Sequence, residues 1–340
     1  ILMMIFKMIN NYIYYIVAII IVYFLTIFVF SFSFYSPIGA MTRMGSWPEV
    51  FFWGKAKQPS VKILENGNSD SEIIVLGDSF SNRNIWQSYL QANNKFNIQT
   101  YHLSDAGCLD NWLRHILKNK DQKNKYIILE VVEQSFLPLL RTLNKCKQKI
   151  IPSPLSFKKE TLYPDRPQKG NLVLDLRYII NTLFNFTRIN SKQKNISFGN
   201  VNNVKINNGQ LFSNIKSERM LYLSSENEKI KWKKKEVISV IKRIKIIQND
   251  FKKVGLNLIL LIIPDKSTQY SKYIEKHDYK PINIFNMLSE ERVEFIDLYK
   301  KFEIEIKNTK DFYLPNDNHL SFKGYMILSN IINSSLRNLD

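Results

Sequence analysis

The sequence predicts an α/β domain with a mostly parallel sheet, preceded by one N-terminal transmembrane helix. Two observations carry this. Short apolar, β-branched runs alternate with helical patterns along the chain, which argues for strands buried on both faces. Near the start, Ile13–Phe34 (IYYIVAIIIVYFLTIFVFSFSF) carries no charged residue. About 20 apolar residues span a bilayer as a helix, and a soluble helix of that length shows a polar face. The expected organisation is a signal-anchor at 12–34, a connector at 35–70, and one domain at 71–340 with an insertion at about 150–225.

Each element has its reason. Lys7 precedes the apolar run and favours an inside N-terminus, which places the rest of the chain outside the cytoplasm. Ser36–Pro59 carries Gly, Pro and Trp and reads as connector. Glu72–Leu76 (EIIVL), closed by Gly77, is a buried strand, and Ile85–Ala92 is the helix after it. Phe96–His102 is a second strand, Trp112–Leu117 a helix, and Tyr126–Val132 (YIILEVV) a third strand. Pro152–Ser225 is rich in Asn, Lys and Ser and reads as an insertion, partly helical near Leu172–Phe186. Ile230, Val237, Ile241, Ile244, Ile247 and Phe251 recur at helical spacing, with Lys231, Lys233–Lys235, Lys242, Arg243 and Lys245 on the other face. That basic face reads either as a solvated surface or as a contact for anionic lipid or acidic polysaccharide. Leu256–Ile263 and Val293–Asp297 are strands, followed by helices at Leu298–Ile306 and Lys323–Asn333.

Composition limits the function classes. The 340 residues carry 48 Lys and Arg against 30 Asp and Glu, a net charge of +18. Such a charge implies an anionic partner. With the domain outside the cytoplasm, lipid headgroups and surface polymers remain and nucleic acid does not. With only two cysteines, Cys108 and Cys146, the chain has no disulfide framework and no four-cysteine zinc site. The two either pair in an oxidising space or stay as separate thiols.

Chemistry gathers at two places. Gly77-Asp78-Ser79-Phe80-Ser81 directly follows the first strand, and sites of parallel sheets lie beyond the carboxyl ends of strands. A Ser entering a helix N-terminus there has backbone N–H groups for an oxyanion, although Asp and Ser also serve as plain helix caps. Tyr313-Leu314-Pro315-Asn316-Asp317-Asn318-His319-Leu320-Ser321, then Gly324, precedes the last helix. A serine nucleophile needs a base, and the base needs an orienting acceptor. Of the histidines at 102, 115, 277 and 319, only His319 has acid and turn residues around it. The loop also reads as an ordinary capping loop.

Strand–GDSF early and Asp-x-His-Leu-Ser-x-x-Gly late together resemble the SGNH (GDSL) hydrolase superfamily. Gly39-Ala40-Met41-Thr42-Arg43-Met44-Gly45-Ser46, Leu129-Glu130-Val131-Val132-Glu133, and Ile263-Pro264-Asp265-Lys266 with Tyr270 are similar to the membrane-anchored alginate O-acetyltransferase (AlgX/AlgJ-like) type. The resemblance spans nearly all of the chain beyond residue 38. It implies a flavodoxin-like three-layer sandwich, with Ser79 as nucleophile, His319 as base and Asp317 as the orienting carboxylate. It also implies an oxyanion hole from the N–H groups of Ser79 and Gly107. The wider superfamily places the acid three residues before the His, which is Asn316 here; the Asp-x-His spacing matches the alginate-type branch. Where the superfamily has an oxyanion-donating Asn after the third strand, this chain has Glu133-Gln134. Gln134 is either a further donor or a strand-end polar residue. Lys266 and Asp78 are candidate substrate contacts, and Lys266 reads equally as a strand-end surface residue.

The expected activity is therefore O-acetyl transfer to a cell-surface or exported polysaccharide, anionic or neutral, through an acyl-Ser79 intermediate. It calls on no cofactor and no metal. The expected partners are that polysaccharide, the bilayer, and a multi-spanning membrane O-acyltransferase that supplies acetyl groups. A membrane-anchored carbohydrate acetylesterase is the alternative from the same chemistry, and a non-catalytic polysaccharide-binding scaffold the alternative from another class.

Overall fold

The computed structural model describes residues 2–31, 58–67, 71–106, 109–118, 123–141, 153–163, 196–198, 201–275 and 281–339. The chain is α/β. Its central sheet is parallel and orders four strands as β3-β2-β4-β9: β2 (Ile73–Gly77), β3 (Ile98–His102), β4 (Tyr126–Val132) and β9 (Asn257–Ile263). A parallel bridge from Leu260 to Phe295 adds a fifth position beside β9. In chain order the five positions read 2-1-3-4-5, the flavodoxin-like arrangement.

The strands are apolar because both faces are covered. Alternate residues point to opposite faces. Ile73, Val75, Tyr126, Ile128, Ile259, Leu261 and Ile263 join one core. There they meet Trp86 and Leu90 of α2 (Ile85–Asn94), Leu298 and Phe302 of α8 (Leu298–Asn308), and Leu328, Ile332 and Leu336 of α9 (Phe322–Arg337). Ile74, Leu76, Ile127, Leu129, Val131, Leu258, Leu260 and Ile262 join the other. Their partners include Trp112 of α3 (Leu109–Lys118), Ile241 and Phe251 of α5 (Lys234–Lys252), and Leu288 of α7 (Ile284–Glu290). The result is three layers. Burying one such aliphatic side chain is worth about 1.5–3 kcal/mol, so each strand is held chiefly from its two faces.

The expected strand at Val293–Asp297 pairs through Phe295 alone, and Ile296 N–H donates to Leu260 O (3.1 Å). Asp297 then accepts from Lys300 N–H (3.3 Å) and caps α8, so the chain leaves the sheet early. The expected helix from Ile230 begins at Lys234 instead. Residues Ser224–Lys231 form a separate 3-10 stretch, which turns Glu226 and Lys229 inward.

The expected insertion is sewn into the body. β5 (Glu160–Leu162) pairs antiparallel with β1 (Val61–Ile63), and Leu155 N–H donates to Thr100 O (2.9 Å). β6 (Ile196–Phe198), β7 (Val201–Lys205) and β8 (Arg219–Leu223) form an antiparallel sheet of three strands. Its continuation bridges Ile206 to Ile274, and Asp311 N–H donates to Leu211 O (2.9 Å). Phe212, fully buried, lies beside the ring of Tyr270 (5.0 Å between centroids). The helix near 172–186, the connector motif at 39–46, Gly107, Cys108 and Cys146 are expectations that lie outside the described residues.

The N-terminal apolar run is helical, α1 (Leu2–Ser31). From Tyr12 to Leu25 its large side chains stand exposed, Tyr14 at 73% and Ile19 at 68%. Among the described residues, no helix is long and apolar enough to cross a membrane.

Candidate active site

The two motifs, 240 residues apart, meet at the carboxyl end of the sheet. Ser79 Oγ lies 3.0 Å from His319 Nε2, and His319 Nδ1 lies 2.6 Å from Asp317 Oδ1. That Asp317 oxygen also accepts from the His319 backbone N–H (3.0 Å), which fixes the short Asp-x-His step. Asp317 is nearly buried and Ser79 is exposed. The ring of Phe80 lies beside that of His319 (4.8 Å) and limits where it can turn. Asn316, at the spacing of the wider superfamily's acid, is buried and makes no hydrogen bond to His319.

Ser79 does not open a helix, contrary to expectation. It sits in a tight turn after β2, in which the N–H groups of Ser81 (3.0 Å) and Asn82 (3.2 Å) donate to Asp78 O. Asn84 then adopts a left-handed backbone (φ 53°), and α2 begins only at Ile85. The Ser79 N–H has no partner among the described residues and is free for an oxyanion. Gly107, the other expected donor, lies outside them. Gln134 Oε1 accepts from Ser225 Oγ (2.6 Å), linking the end of β4 to the turn that carries Glu226 and Lys229.

Asp78 braces the turn. Its Oδ1 accepts from Phe80 N–H (3.0 Å) and its Oδ2 from Val132 N–H (2.8 Å). Both carboxylate oxygens thus accept from backbone amides, which ties the turn to the end of β4. Below it lies Glu130, a fully buried carboxyl inside an apolar strand. One Glu130 oxygen accepts from Asp78 N–H (2.9 Å) and Ser81 Oγ (2.8 Å). Burial first, and then the Asp78 charge, push the Glu130 carboxyl well above the usual range. Gly77 makes room for this: a Cβ there would meet Glu130 Oε2 at 2.6 Å and the Ser81 side chain closer still.

Lys266 is neither a surface residue nor a free substrate contact. It is fully buried, and its Nζ donates to three carbonyls of the loop before α9: Leu314 O (2.6 Å), Pro315 O (3.1 Å) and Asp317 O (3.1 Å). An ammonium has three donors, so none is left for substrate. Burial lowers its pKa to about 7.

A second buried cluster stands behind this loop. Lys229 Nζ reaches Glu133 Oε2 (3.0 Å), Asp265 Oδ2 (2.5 Å) and Thr268 Oγ1 (2.6 Å). Glu226 accepts from Ser267 N–H (2.8 Å), and Glu133 from Asp265 N–H (2.9 Å). Burial raises the carboxyls of Glu226 and Asp265. Glu130, Glu226 and Lys229 are functional-site neighbours that no catalytic motif marks. A charge inside YIILEVV was the available signal, because a buried strand holds a carboxyl only where something binds it.

Among the described residues no cluster of His, Cys, Asp or Glu is placed to hold a metal ion. No family model matches the chain, and no curated protein matches it.

Proposed function

We propose that this chain is a serine-dependent O-acetyltransferase of the SGNH superfamily, in its membrane-anchored alginate-type branch, acting on a cell-surface or exported polysaccharide. The observation that carries this is the Ser79–His319–Asp317 relay, at 3.0 and 2.6 Å, with Ser79 exposed. His319 Nε2 takes the Oγ–H proton as Ser79 Oγ bonds to the carbonyl carbon of an acetyl ester. Asp317 steadies the imidazolium that results. The Ser79 N–H, with Gly107 expected beside it, stabilises the tetrahedral anion. The donor C–O bond then breaks, and His319 returns the proton to the departing alcohol. A sugar hydroxyl attacks the acetyl-serine in the reverse sequence and frees Ser79.

The remaining expectations belong to this reading. The uncharged run Ile13–Phe34 is the anchor in the cytoplasmic membrane, and the domain works outside the cytoplasm. The exposed apolar side chains of α1 support a lipid setting. The charge of +18 suits an anionic polymer and anionic lipid. A multi-spanning membrane O-acyltransferase supplies the acetyl group.

A fluorophosphonate probe tests the chemistry. It should label the wild type at Ser79 and leave Ser79→Ala and His319→Ala unlabelled. Asp317→Asn should slow acetyl-ester turnover by about 10⁴-fold. A wild type silent to both probe and ester would overturn the enzyme and leave a polysaccharide-binding scaffold. Because Ser79 is open to solvent, water can also resolve an acetyl-serine, which makes an esterase the second reading. Acetyl transfer to an oligosaccharide, measured against free acetate, separates the two.

A further inference from the structure

We propose that Lys266 is a positioning residue whose ammonium holds the Leu314–Asp317 backbone in place, so that Asp317 keeps His319 aligned on Ser79. This deepens the serine-acyltransfer reading and rests on it. The geometry is unusual for a lysine. Its side chain is fully buried, and all three N–H groups point at carbonyls of one four-residue stretch. Those carbonyls converge on a single cation, which offsets their mutual repulsion. Amides of the same loop close it from the other side. Leu314 N–H donates to His319 O (3.0 Å), Asp317 N–H to Leu314 O (3.4 Å), and His319 N–H to Asp317 Oδ1 (3.0 Å).

The proton on Lys266 matters because a neutral amine has two N–H groups and a lone pair. On deprotonation one of the three carbonyls faces that lone pair, and the loop loses a contact under Asp317. Burial drives the proton off, to a pKa of about 7. Glu226 from the 224–231 stretch, and Asp317 and Asp311 from the loop before α9, oppose this with negative charge. The face of Phe212 from the former insertion lies 5.1 Å from Nζ. The neighbouring Tyr270 and Tyr313 hydroxyls are kept protonated by burial, and Tyr313 donates to Pro264 O (2.5 Å). They stay neutral across the pH range in question, so neither adds a charge beside Lys266 there.

Activity and stability then respond to pH with opposite signs. Between about pH 7 and 10.5 the unfolded chain holds a proton on Lys266 that the folded chain has released. Lys266 therefore makes the fold more stable as pH rises through that window. Over the first part of the same window, acyl transfer falls.

Two readouts on the full chain test this. The first is the pH profile of fluorophosphonate labelling. Wild type should lose up to about tenfold in rate for each unit above pH 7. Lys266→Arg keeps its charge and should lose that alkaline fall, while Lys266→Met should be slow at every pH. The second is amide hydrogen exchange of Leu314, Asp317 and His319, corrected for intrinsic pH dependence. Protection should drop in the wild type as pH passes 7, which needs no variant to fold. If protection and labelling are flat across pH 7 in the wild type, the proposal is wrong. If Ser79 never reacts, the enzyme reading falls, and the exchange data alone still decide whether Lys266 holds the loop.

Discussion

Beneath the Ser79 turn, Glu130 keeps its proton where an exposed glutamate would release it, because burial and the Asp78 charge both oppose ionisation. The folded chain then binds more protons than the unfolded one above the ordinary glutamate pKa. The sign of the linkage is therefore negative: this carboxyl makes the fold less stable as pH rises towards its folded pKa. Glu130→Gln removes the titration and leaves an oxygen to accept from Asp78 N–H and Ser81 Oγ. Urea unfolding at pH 5 and pH 8 should show a smaller loss of stability in the variant than in the wild type; an equal loss would mean that Glu130 is ionised in the fold. Ser79, His319 and Asp317 were legible in the sequence because each sits in a short local motif of fixed residue types, Gly-Asp-Ser early and Asp-x-His late. Lys266 and Glu130 were not. A charged letter in a sequence does not show whether it faces water or three carbonyls, and that depends on chain from 226 to 317 closing around it.

Among the elements, β4 came out at the expected ends and β2 and β9 within a residue or two, because strands buried on both faces are written as unbroken apolar runs. The turn between Gly77 and α2 was hidden, since its shape comes from Asp78 and Glu130 rather than from its own propensity. The fifth strand position is shorter than its apolar pattern implies: it joins β9 only around Phe295, through Leu260 N–H to Glu294 O and Ile296 N–H to Leu260 O (both 3.1 Å). Hidden, too, was the role of the Ser224–Lys231 stretch. It plugs Lys229 between Glu133 at the end of β4 and Asp265 at the end of β9. Removing one partner of a buried ion group costs about 3–5 kcal/mol, because the others stay buried and uncompensated. Lys229→Met should lose that much in chemical denaturation, and Lys229→Met with Glu133→Gln should recover part of it. No recovery would place the cost in packing rather than charge.

For the whole molecule, charge is the property with a measurable consequence. A protein of +18 should bind an anionic polysaccharide through many weak contacts that salt screens, with a Debye length of ~10 Å at 0.1 M falling to ~3 Å at 1 M. Retention on an immobilised polyuronate should therefore collapse over that range, whereas retention indifferent to salt would point to neutral sugar contacts.

The relay joins a serine in the turn after β2 to a histidine just ahead of α9, 240 residues later. A chain made from its N-terminus carries Ser79 long before His319. Until α9 has emerged and packed across α2, Ser79 stays an ordinary hydroxyl. On the function proposed above, its reactivity waits for the segment around His319 to fold onto it.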